Sequence, residues 1–144
     1  MFCLTELTAF VIAINLCSSD PRYKEPTGNF TIFELDEKIT KLISQPELGK
    51  GDELYQAVYT LHLELLEIHD VFNWYRDCPK SFALGKEIVK RSGLKIFKTF
   101  INEESLKDVY KYNNAQVYEI VDLITNCERL YNASEPIIKQ GDVN

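Results

Sequence analysis

The chain has little of what chemistry usually requires. It contains only two histidines, His62 and His69. Seven residues put them about two helical turns apart with Leu66 between them, too far for one metal without a third ligand. HExxH is absent, and so is the ExxH pair of carboxylate-bridged di-iron bundles. The four cysteines, Cys3, Cys17, Cys78 and Cys127, make no CxxC pair, which argues against a zinc site. Glycine is scarce, and Gly49-Lys50-Gly51 lacks the frame of a phosphate-binding loop. No serine sits in a nucleophile elbow. Glu64, Glu67 and Asp70 read as a solvated helix face, not as a catalytic carboxylate pair. The pattern implies no cofactor, no metal and no catalytic residue, and a non-enzymatic chain is expected. An enzyme assembled from scattered carboxylates is the remote alternative.

Basic charge is also short: 16 Lys and Arg stand against 22 Asp and Glu, a net charge of -6. That balance opposes generic nucleic-acid binding, and no sequence-specific reading element is present. Long hydrophobic runs are missing as well. The longest, Leu7 to Cys17, is too short to span a bilayer as a helix, so no transmembrane span is expected. Residues 1–17 read either as a first helix, with Leu4, Leu7, Phe10, Val11, Ile14 and Cys17 inward, or as a signal-like segment cleaved after Ser19. Residues 18–29 are a Pro, Gly and Ser linker. Asn29 and Asn132 head glycosylation sequons at expected loop or helix edges, and cleavage would leave Cys78 and Cys127 as a candidate disulfide. An intracellular chain is the first reading and a secreted one the second.

What the sequence does have is helical rhythm. Asp52 to Cys78 is the longest uninterrupted case. Leu54, Val58, Leu61, Leu65, Ile68, Phe72 and Tyr75 recur in steps of four and three and share one side of a helix. Tyr59, Leu63, Leu66 and Trp74 form a second apolar set, and Gln56, Thr60, Glu64 and Glu67 are left as a narrow polar strip. So wide an apolar arc predicts a central helix with neighbours on two sides.

Around it, Phe30 to Ser44 predicts a helix with Thr31 as cap and Glu34 completing a capping box. Asp52 is the expected cap of the long helix, and Pro79 its terminator. Ser81 to Arg91 predicts a shorter helix, Ser92-Gly93 a break, and Leu94 to Ile101 an apolar turn. Asn102 then caps a last helix running to about Tyr131, with a break expected at Asn113. Pro136 is expected to stop any helix in a flexible tail, residues 132–144.

No strand-like alternation appears. The expected fold is an all-α, single-domain, up-and-down bundle of five or six helices, two of them long, over residues 30–131. A short armadillo- or HEAT-like stack of α-hairpins is the alternative.

Two surfaces are candidate partner sites. One is the second face of the long helix, Tyr59, Leu63, Leu66 and Trp74. The other is the basic stretch Lys86, Lys90, Arg91, Lys95 and Lys98, suited to an acidic partner or an anionic surface, or else complementing the protein's own acidic helices. The expected function is a helical interaction module, an accessory subunit or modulator of another protein, or one that self-associates. A secreted factor or carrier of a small apolar ligand is the second reading. It would require a cavity among Phe97, Phe100, Tyr110 and Tyr118.

Overall fold

The computed structural model describes residues 32–75 and 79–143, apart from the side chains of residues 74, 75 and 141–143. Expectations that rest on residues 1–31, the Trp74 and Tyr75 side chains or Cys78 therefore lie outside the described residues. Those described form an all-α bundle: α1 (Ile32–Ser44), α2 (Gly51–Asp70), α3 (Pro79–Lys90), α4 (Glu103–Tyr110) and α5 (Asn114–Val143). A π-helical turn, Val71–Tyr75, extends α2, and a 3₁₀ turn, Lys95–Lys98, lies between α3 and α4.

The period-3.6 stripe of α2 makes it the central helix. Leu54, Val58, Leu61, Leu65, Ile68 and Phe72 are all buried, joined by Ile39 and Leu42 from α1, Ile88 from α3 and Leu106 from α4. Burying each such side chain contributes roughly 1.5–3 kcal/mol of transfer free energy. On α5 the stripe Val117, Ile120, Ile124, Cys127, Tyr131 faces the same core.

The expected polar strip on α2 is half wrong. Glu64 and Glu67 are only 4% and 7% exposed. Glu64 follows Leu61 by three residues and precedes Ile68 by four, so the period places it on the core side whatever its polarity.

Chain direction departs from a simple up-and-down bundle. Tyr55 pairs with Glu119 and His62 with Asn126, both at a separation of 64 residues. A constant offset means α2 and α5 run parallel. Parallel neighbours need a return path, and α3, the 3₁₀ turn and α4 supply it.

Local signals set most element ends. Pro79 takes the first position of α3, where its missing N–H costs nothing. At the other end the N–H of Gly93 bonds to Ile88 and that of Ser92 to Val89, the paired pattern of a Schellman stop. Asn102 caps α4 by accepting from the Ser105 N–H. The expected break falls at residues 111–113: Lys111 is left-handed at φ 60°. Asn113 then caps α5, with its Oδ1 accepting from Gln116 N–H and its own N–H donating to Gln116 Oε1. Asp52 is not the cap of α2, which starts at Gly51 without a side-chain cap bond.

Pro136 does not stop α5, and the expected tail is helical to Val143. An interior proline costs about 3 kcal/mol. Burial of Ile138 and Ser134, with an i,i+4 pair from Lys139 to Glu135, offsets it.

α3 approaches the core closely because it carries Gly85. A Cβ there would lie 2.5 Å from the Phe72 ring and 3.1 Å from Ile138. Phe72 also packs against the Phe82 ring of α3, with centroids 4.5 Å apart. In an open helix Gly→Ala is favourable by up to about 1 kcal/mol; here overpacking reverses the sign. Gly85→Ala is expected to lower unfolding stability by about 1–3 kcal/mol in urea melts, and an unchanged or raised midpoint would show that α3 does not pack this closely.

Candidate interaction surface

The outer side of the α2–α5 pair is built from residues that fall off the two core stripes. On α2, Tyr59 is 45% exposed and Leu63 and Leu66 are half-buried. On α5, Tyr118 follows the buried Val117 and is 71% exposed. One turn before Tyr59, Tyr55 donates its hydroxyl proton to Glu119 Oε1 at 2.7 Å and stacks on Tyr59, ring centroids 6.5 Å apart and 8° from coplanar. The hydrogen bond to that carboxylate raises the Tyr55 pKa above the ordinary phenol value.

Two turns further on, His62 Nε2 lies 3.3 Å from Asn126 Nδ2, and Asn126 Oδ1 accepts from Arg129 Nη1 at 3.0 Å. Burial lowers the His62 pKa below the usual imidazole value, while the charge of Asp122 pulls the other way. Along this seam tyrosines, two carboxylates, a histidine and an arginine alternate. Of the residues expected to bind a partner, Tyr59, Leu63 and Leu66 are placed on one side of α2. The Trp74 backbone lies in the π turn, and its side chain is outside the described residues.

The basic stretch is less cationic in space than in sequence. Arg91 pairs with Glu87 at 3.1 Å and lies over the Phe33 ring, 3.7 Å from its centroid. Lys95 pairs with Glu37 of α1 at 3.0 Å, and Lys86 lies 4.9 Å from the centre of the Phe82 ring. Among the described residues, no carboxylate lies within ion-pair distance of Lys90 or Lys98. The protein's own acidic residues therefore absorb Arg91 and Lys95.

One group that pattern reading misses positions the stretch. Asp36 is buried, and its two carboxylate oxygens accept the backbone N–H groups of Lys95 and Ile96 at 2.8 and 2.9 Å. It caps the 3₁₀ turn from another helix. Desolvation raises its pKa, and the two amides and Lys95 only partly offset this. In sequence Asp36 reads as an ordinary acid near a helix start, and only the return of the chain reveals its role.

The remaining candidates separate. Cys127 carries a free thiol, fully buried on the core stripe and raised by burial to a pKa of about 12; the other half of the expected disulfide, Cys78, lies outside the described residues. The Asn132 sequon is not at a helix edge but within α5, with Asn132 exposed and the Ser134 hydroxyl buried and donating to the Leu130 carbonyl. Asn29 lies outside the described residues. The four aromatics expected to line a cavity do not converge. Phe97 packs on Tyr131, and Tyr110 donates to the Leu42 carbonyl, while Phe100 and Tyr118 are exposed. No group of three or more metal-ligating side chains is assembled among the described residues, and none of their helices is long and apolar enough to cross a membrane.

No family model, curated protein or solved structure matches the chain. The surface must be read from its own residues.

The Asp36 clamp gives a direct test. Asparagine offers one acceptor and turns an NH₂ group towards the second backbone N–H. Asp36→Asn should cost about 1–3 kcal/mol of stability, with faster hydrogen exchange at the Lys95 and Ile96 amides than at the core amides of α2. Unchanged exchange at those two amides would rule out the clamp.

Proposed function

We propose that the chain is a non-catalytic helical interaction module, an accessory subunit or modulator, that engages another protein through the outer side of α2 and α5. The observation that carries this reading is the placement of Tyr59 and Tyr118. Both are large aromatic side chains set outside the core stripes, on neighbouring parallel helices, and both are exposed. Tyrosine suits such a surface because it offers a broad apolar ring, a polar tip and little rotamer entropy to lose. The stacked Tyr55–Tyr59 pair, anchored through Glu119, pre-orders part of the face before any partner arrives.

The basic stretch is the weaker site. Its contributors Arg91 and Lys95 are engaged with Glu87 and Glu37. Lys90 and Lys98 can add electrostatic steering, which acts mainly on association rate.

A photo-crosslinking residue tests the two surfaces against each other in the native cell. Placed at Tyr118 it should trap a discrete protein species, and Tyr59→Asp in the same chain should abolish that species while leaving the helical circular dichroism intact. Placed at Lys98 it should trap little. Crosslinks confined to Lys98, or insensitive to Tyr59→Asp, would overturn the assignment.

A further inference from the structure

Within the proposed partner surface, the seam between α2 and α5 contains a donor and acceptor arrangement that favours one protonation state. Arg129 Nη1 donates to Asn126 Oδ1 at 3.0 Å, which leaves the amide NH₂ directed at His62 Nε2, 3.3 Å away. This pattern assigns the acceptor role to that nitrogen, which corresponds to a neutral imidazole with its proton on Nδ1. Protonation would set an N–H against the amide NH₂. It would also draw the ring towards the carboxylate of Asp122, one turn before Asn126 on α5, whose charge already acts on His62.

From this geometry we infer that His62 is a proton-operated switch on the partner face: neutral, it holds Asn126; protonated, it leaves Asn126 for Asp122 and shifts the α2–α5 seam that carries Tyr55 and Tyr59. The inference concerns regulation of the proposed surface and rests on that reading for its biological meaning, though not for its chemistry.

The charged and titratable groups around the switch are few among the described residues. From α5 they are Asp122 and, behind the amide, Arg129. On α2 itself the same flank carries Tyr55, bonded to Glu119, two turns before His62, and His69, 3.3 Å from Asp70, two turns after it. α1 and α3 meet α2 through apolar residues such as Ile39 and Ile88 and through the Lys38–Glu53 pair towards the start of α2, and the buried acids Glu64 and Glu67 lie on other faces of α2 than His62.

The sign follows from linkage. Burial holds the folded His62 below the ordinary value of 6.5. The unfolded chain therefore takes up the proton first as pH falls. The contribution of neutral His62 to stability is complete above about pH 6.5 and is lost as pH drops through the folded pKa.

The experiment is an NMR titration of the full-length chain, following the His62 ring together with the Tyr55 and Tyr59 rings. In the wild type the His62 midpoint should fall below 6.5, and the two tyrosine rings should shift with that same midpoint. Asn126→Asp, which supplies an acceptor for the protonated ring, should raise the midpoint by more than one pH unit; Asp122→Asn should lower it. Tyrosine resonances that ignore the His62 midpoint, or a midpoint unmoved by both substitutions, would overturn the switch. The crosslink at Tyr118 separates this from the parent reading. If it forms equally at pH 7.5 and pH 5.5 in cell extract, the partner surface stands and the switch fails. If the seam titrates as described but no crosslink forms at either pH, the switch stands and the partner surface fails.

Discussion

The parallel register of α2 and α5 is the constraint from which the rest of the fold follows. Two antiparallel helices can be joined by a turn of a few residues, but two parallel ones must be linked by a path that returns along their length. The path here is short of regular helix: α3, one 3₁₀ turn and α4. Each part is held to the surrounding helices by specific contacts. Gly85 lets α3 approach Phe72 and Ile138, and Asp36 grips the 3₁₀ turn. Tyr110 and Tyr112 fasten the junction of α4 and α5 to the α1–α2 turn by donating to the carbonyls of Leu42 and Gly51. The return path is thus a series of pinned points, with much less continuous packing than the α2–α5 pair it serves.

Magnitudes decide which of the polar contacts matter. Around the 3₁₀ turn, the Lys95–Glu37 pair is the more visible interaction, yet both partners are about two-thirds exposed. Such a pair contributes about 0–1 kcal/mol and weakens with salt. The Asp36 carboxylate makes two charge-assisted bonds to backbone amides, each of about 1.5–3 kcal/mol. Burial opposes them, and the raised pKa of Asp36 records that opposition. The clamp is therefore a device for position more than for stability. It fixes where the Lys95–Lys98 turn sits, at a desolvation cost an apolar contact would avoid.

Much of this is legible along the chain wherever period and punctuation agree. The core stripes of α2 and α5, the cap at Asn102 and the break at Asn113 follow from apolar spacing and from side chains that bond their own backbone. Three features are not legible, each for a physical reason. Pro136 signals a stop locally, but the buried side chains of Ser134 and Ile138 outweigh it. Polarity alone would turn Glu64 outward, whereas helical phase sets it on the core side; Glu67 is buried as well although it lies off that stripe. Asp36 looks ordinary among its neighbours because its partners lie about sixty residues away. The candidate face divides in the same way. Tyr59, Leu63 and Leu66 are visible as an apolar set off the main stripe. Tyr118 is visible as a large ring beside Val117, but its exposure excludes it from the expected cavity.

The offset of 64 residues also explains why the outer seam is polar where the inner one is not. Apolar stripes tolerate small slides, since one leucine packs on another with little loss of area. Directional bonds do not. Tyr55 with Glu119 and His62 with Asn126 recur two turns apart on both helices, so a slip of even one residue would break both together. Placing them on the outer flank fixes the register without putting polar atoms into the core. The same choice leaves those groups within reach of solvent protons, with Tyr59 stacked on Tyr55 beside them. Tyr55 and His62 thus fix the register of the two helices at two points a constant 64 residues from their partners.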